Sequence, residues 1–241
     1  MLTATQARNI VGIVGNVISF GLFLSPLPTF LKIFKSKSVE EFKPDPYIAT
    51  VLNCMCWIFY GMPFVHPDST LIVTINGVGL VLELIYLAVF CFYASPKGRK
   101  KVGIFLVCEV IFVAILALAT LFLFHGTKDR SMVVGIVCDV FNIIMYASPL
   151  TIMTKVIKTK SVKYMPFTLS LANFLNGCVW TAYALIKFDI YVLVSNGLGA
   201  ISGSLQLLLY AYYSMCGPKE EDVESKASEV QLSTAQTASR G

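Results

Sequence analysis

"LIVTINGVGLVLELIYLAVF", residues 71–90, is almost wholly apolar and about as long as one helix needs to cross a bilayer core. Its exceptions are Asn76, Gly77, Gly79 and Glu83. An amide and a carboxylic acid at membrane depth belong against protein or a polar cavity, because lipid leaves their hydrogen bonds unmet. The quoted stretch sits in a run at 70–93. Similar apolar runs on either side predict spans at 9–32, 45–64, 102–124, 131–155, 164–186 and 190–213. Only helices and closed barrels satisfy a backbone in lipid. These runs are too long and continuous for barrel strands, so an all-α membrane protein with seven transmembrane helices is expected.

Composition agrees. Of 241 residues, 56% are hydrophobic and 14% charged, with a mean hydropathy of +0.73. Soluble domains are rarely so short of charge. The first run lacks a basic start and a small-residue cleavage pattern, so it reads as a span and not as a signal peptide. The seven cysteines all fall inside or at the edge of spans, and Cys54 and Cys56 lie on different helix faces. No metal site, no cofactor and no disulfide framework is expected. Clustered His and acids, an activated nucleophile and a phosphate loop are missing from the pattern, so no enzyme is expected. The net charge of +5 calls for no nucleic-acid partner.

The basic residues supply the orientation. Lys32, Lys35, Lys37 and Lys43 surround the first loop, Lys97, Arg99, Lys100 and Lys101 the third, and Lys155, Lys158, Lys160 and Lys163 the fifth. The even loops carry few. By the positive-inside rule the odd loops and the C-terminus are cytoplasmic and the N-terminus lies outside. Residues 217–241 are polar and read as a disordered cytoplasmic tail.

Part of the quoted stretch recurs. "NGVG" at 76–79 is answered by "NGLG" at 196–199, 120 positions on. "VGIV" (11–14, 134–137), "SPL" (25–27, 148–150) and "KSV" (37–39, 160–162) repeat at a spacing of 123, as do Asn53 and Asn176, Trp57 and Trp180, and Tyr60 and Tyr183. The unit is three helices, residues 9–93 and again 131–213. Three is odd, so direct copies would lie upside down; the unmatched helix at 102–124 restores their orientation. Two parallel three-helix bundles joined by a linker helix are expected. Asn53, Trp57 and Tyr60 share one helical face at i, i+4, i+7, and the second repeat copies that stripe. Interhelical packing is one role for such a stripe; a polar lumen is favoured because the stripe is duplicated.

With these motifs in place, and with "KSVKYMPF" entering span six, the chain resembles the SWEET sugar transporters, whose parallel repeats are related by an axis along the membrane normal. The resemblance covers residues 9 to about 215. It implies bidirectional, energy-independent movement of mono- or disaccharides by alternating access, in the plasma membrane, with membrane lipid around it; a homo-oligomer is expected on a separate ground, since a three-helix bundle alone does not bury its polar stripe. It implies a sugar site at Asn76, Asn196, Trp57 and Trp180, hinges at Pro26, Pro46, Pro149 and Pro166, and an outer gate at Tyr60, Tyr183 and Asp189. The gate residues fit a pair of surface aromatics and a loop acid nearly as well. Asn53 and Asn176 would flank the sugar, with Met145 narrowing the cavity; in the family, small residues at the flanking positions go with disaccharides, so this pair implies a hexose. Gly77, Gly79, Gly197 and Gly199 are expected to let helices approach. Glu83 has two readings, a proton-coupling acid or an acid bonded to a neighbouring helix, and the second repeat's Gly203 and Gln206 favour the second. Asp139 and Glu109 are read the same way. A proton-coupled carrier of amino acids or other small solutes is the rival within transport, and a seven-helix receptor the rival outside it; the duplication and short loops oppose the receptor.

Overall fold

Caps and prolines decide where the helices begin. Thr3 opens α1 (Ala4–Phe23) with a capping box, its hydroxyl accepting from Gln6 N while Gln6 Oε1 accepts from Thr3 N. Pro26 stands at the N-cap of α2 (Leu27–Ser36), and Pro44 at that of α3 (Asp45–Tyr60). α4 spans Thr70–Tyr93. Ser95 caps α5 (Pro96–Leu123) with Pro96 at its first position. α6 (Thr127–Met145), α7 (Ala147–Thr159), α8 (Phe167–Ile186, Pro166 at its N-cap) and α9 (Ile190–Cys216) complete the order, with a 3-10 turn at Val162–Tyr164. The computed structural model describes residues 2–216, with no strand among them; the tail read as disordered, 217–241, lies outside the described residues.

Six stretches are long and apolar enough to cross a membrane when α1 with α2, and α6 with α7, are each taken as one broken span. The seventh helix, α3, has 16 residues, about 24 Å at 1.5 Å per residue and short of a ~30 Å core. It packs against α4, α5 and α6, so lipid does not set its length. The linker helix starts six residues before the expected 102, because the Ser95–Pro96 signal carries it through the basic cluster.

Breaks in the first and fifth spans sit where the prolines fall. Pro26 and Pro28 lack the N–H groups that would reach Leu22 and Leu24. Ser25 N and Leu27 N donate to those carbonyls instead, both at 3.0 Å, so one turn tightens to i→i−3 bonding. The Phe23 carbonyl, passed over by this shift, accepts from the Tyr86 hydroxyl at 3.0 Å. Both repeats end their short helix alike, on Lys37 (φ 53°) and Lys160 (φ 52°) in the left-handed region.

In space the first repeat runs α1–α4–α3 and the second α8–α9–α6, each third helix lying between its own first and second. α1 meets α8 and α3 meets α6, which closes a six-helix ring. Close approach is built on glycine facing a ring: Gly79 against Phe23, Gly199 against Tyr146, Gly135 against Tyr191. Gly77 and Gly197 border open space and make no such approach, a correction to their expected role.

Candidate functional site

α3 and α8 carry the duplicated stripes, and α4 and α9 add one amide each. Together Asn53, Trp57, Asn76, Asn176, Trp180 and Asn196 line a cavity of ≈ 330 Å³ inside the ring. Asn76 and Asn196 behave identically: each Nδ2 donates to the carbonyl four residues back, Ile72 or Val192, at 2.9 Å. That bond fixes each amide's rotation and leaves Oδ1 and the second N–H for the cavity. Asn53 Nδ2 donates across the repeats to Asn142 Oδ1 at 2.7 Å, and its own Oδ1 is buried without a donor among the described residues. Asn176 Oδ1 accepts from Ser19 Oγ at 2.6 Å, and Ser19 in turn accepts from Trp180 Nε1 at 3.0 Å. Met145 does not wall this space; its Sδ lies 3.3 Å from Asn53 Nδ2, and it borders a second cavity of ≈ 420 Å³. That cavity shares Asn142, Asn176 and Asn196 with the first and runs past Pro149 and Pro166.

Both tryptophans are nearly buried and stand edge-on to the next aromatic of their stripe, Trp57 to Tyr60 at 5.3 Å and Trp180 to Tyr183 at 5.1 Å. The tyrosines stand one turn beyond the tryptophans on their stripes. Tyr60, 0% exposed, donates its hydroxyl hydrogen to Asp189 Oδ1 at 2.8 Å and stacks on His66. His66 Nε2 lies 3.2 Å from Asp189 Oδ2. Tyr183 is held by Arg8, whose guanidinium lies 4.1 Å over its ring, and Arg8 donates to the Asp68 carbonyl at 2.9 Å. Lys187 pairs with Asp68 at 3.1 Å and holds that carboxyl below its ordinary range. Burial pushes the Asp189 carboxyl up, but His66, the Tyr60 hydroxyl and the Val192 N–H bring it below its ordinary value. The Tyr60–Asp189, His66–Asp189, Arg8–Tyr183 and Lys187–Asp68 contacts cross between repeats, so this end is latched.

The opposite end, where the basic residues lie, is built otherwise. α2 packs on α4 and α7 on α9, each within its own repeat, and no contact joins α2 to α7 among the described residues. Pro149 lies in the first turn of α7 and Pro46 in that of α3. Pro166 sits at the N-cap of α8, as Pro44 does at that of α3. The four prolines read as hinges thus stand at helix breaks or helix starts.

Of the three acids at membrane depth, Asp139 is bonded to a neighbouring helix as expected, accepting from Ser195 Oγ. Glu83 and Glu109 are not: among the described residues each keeps an oxygen buried without a donor. Ser19, Asn142, Arg8 and His66 were missed from sequence. Ser19 and Asn142 stand 123 apart, so the repeat spacing held their signal, hidden by unlike residue types. Amides on the rim and indoles at one end suit a solute with hydroxyls around its edge and C–H faces.

Comparison with known proteins gives a consistent picture. Residues 9–98 and 132–217 match the family described as a sugar efflux transporter for intercellular exchange. The chain is 61% identical over 222 residues to the bidirectional sugar transporter SWEET4 of Arabidopsis thaliana, covering 92% of this chain and 88% of that one. It is 54% identical over 222 residues to SWEET7b of Oryza sativa subsp. indica, covering 92% and 84%. A eukaryotic SWEET transporter solved at 3.7 Å resolution superposes with a TM-score of 0.84 at 41% identity, covering 88% of this chain and 99% of that chain.

Proposed function

This chain belongs to the SWEET family and is a multi-pass membrane sugar transporter, and on that premise we propose that it is a bidirectional hexose facilitator working by alternating access. The carrying observation is the symmetric pair Asn76 and Asn196, each held by its own helix with free amide atoms toward a cavity flanked by Trp57 and Trp180. The hexose sits between the two amides. Asn53 and Asn176 narrow the space beside it, and a cavity of ≈ 330 Å³ lies at the small end of ligand pockets. Tyr60, Tyr183 and Asp189 form one gate. Pro26, Pro46, Pro149 and Pro166 form the joints about which the other end opens. With the basic end cytoplasmic, as loop charge supports, the structure is the inward-facing state in a plasma membrane. Residues 9–93 and 131–213 then move as two halves about the linker.

A zwitterionic amino acid fits this cavity less well. It needs partners for two opposite charges, and the lining offers Glu83 with no Lys or Arg. Uptake of labelled glucose into proteoliposomes, with and without an imposed proton gradient, tests the reading. Glucose should equilibrate at the same level in both. Accumulation that collapses with a protonophore overturns the facilitator.

A further inference from the structure

Glu83 plays no part in the arrangement above, yet it lines the same cavity as Asn76 and Asn196. It lies two turns along α4 from Asn76, about 10 Å nearer the basic end. The residue is 4% exposed; Oε2 is closed off without a donor among the described residues, which leaves Oε1 as the oxygen that meets the cavity. A carboxyl group left so is strongly disfavoured unless something supplies hydrogen-bond donors. The described residues supply none, so the contents of the cavity supply them to Oε1.

Symmetry does not explain the acid. The spacing of 120 that pairs Asn76 with Asn196 pairs Glu83 with Gly203, where a Cβ would meet the Phe174 backbone at 2.8 Å. The second repeat uses that level for helix packing, and the first keeps a carboxyl group there. The cavity is thus two-fold symmetric at the amides and one-sided at Glu83.

Hydroxyl groups are the donors a sugar brings, and a carboxylate accepts them more strongly than an amide oxygen does. We propose that Glu83 is a sugar-contacting, specificity-determining residue, accepting hydrogen bonds from hexose hydroxyls on the basic-end side of the Asn76–Asn196 pair. Because nothing mirrors it, it also sets which edge of the sugar faces the first repeat. Water takes the same position between transport cycles. The proposal rests on the hexose reading and goes beyond it.

Uptake of glucose and of the set of monodeoxyglucoses is measured for the full chain in proteoliposomes, unmodified and as Glu83→Gln, Glu83→Ala and Glu83→Asp. The unmodified protein should disfavour at least one deoxy analogue by about tenfold, a contact-sized discrimination. Glu83→Ala should flatten that penalty to within about twofold while penalties at other ring positions persist. Glu83→Gln should weaken it, and Glu83→Asp, one methylene shorter, should fall between. A packing role lowers flux for every sugar alike and leaves this profile unmoved. Should one variant fail to assemble, the other two still report the profile. An analogue profile unchanged in assembled Glu83 variants overturns the proposal alone; no glucose uptake by the unmodified protein overturns both it and the hexose reading.

Discussion

Asn76 and Asn196 fold part of their amides back onto their own helices, to carbonyls that the helical ladder already uses. Truncation therefore removes the sugar's partner while taking little from the fold. Asn76→Ala or Asn196→Ala should cut glucose flux by about five- to tenfold, matching a lost bond of ~1–1.5 kcal/mol, with near-normal protein in the membrane. Normal flux in both variants would remove the pair from the site. Asp189 makes a different prediction. Its folded carboxyl value is depressed, so its stabilising contribution is complete above the ordinary aspartate value of ~4 and is lost as pH falls through the lower folded value. Melting in detergent should show an acid limb below pH ~4 that Asp189→Asn lacks; an identical limb in both proteins counts against the latch. The stripe Asn53–Trp57–Tyr60 was legible because one residue type recurred at one spacing. Arg8 and His66 were not, since their roles come from contacts across 60 or more residues that no local pattern encodes.

Prolines and glycines act through whole helices. Pro149 deprives the Met145 carbonyl of its usual partner at the α6–α7 break. Pro149→Ala restores that bond and should stiffen the joint: the melting temperature holds or rises while glucose turnover falls by about tenfold. Unchanged turnover would show the break to be incidental. The glycines divide by what they face. A Cβ at Gly135 would lie 2.3 Å from the Tyr191 ring, so Gly135→Ala should destabilise by about 1–3 kcal/mol. Gly197→Ala meets open space and should melt like the parent. Equal melting temperatures for the two variants would contradict the packing described. Apolar runs located all seven helices. They could not reveal that two of the runs break or that α3 is short, because hydropathy averages over the proline joints and does not know which helix is enclosed.

At the scale of the molecule, sugar choice follows from how the two repeats fill the ring. Asn53 reaches across to Asn142 and Asn176 to Ser19, and serine at both flanking positions would be too short to keep those crossings. The unmodified protein should carry glucose well ahead of sucrose, and Asn53→Ser with Asn176→Ser should narrow that ratio by a factor worth ~1–3 kcal/mol. Sucrose preference in the unmodified protein sinks the size argument. The duplicated plan was legible down to the linker. The order of helices around the ring was not, because sequence repeats say which parts are alike and nothing about which neighbours they choose. That order has a consequence for biogenesis. Ser19 waits for Asn176 and Trp180, 157 and 161 residues downstream, and Arg8 waits for Tyr183. While the chain emerges from the ribosome, the first helix has its final neighbour on one flank only, and its polar edge stays open until the eighth helix is made. Assembly of the cavity is the closing event of synthesis, so a chain stopped short of α8 leaves an unfinished membrane protein for quality control to remove.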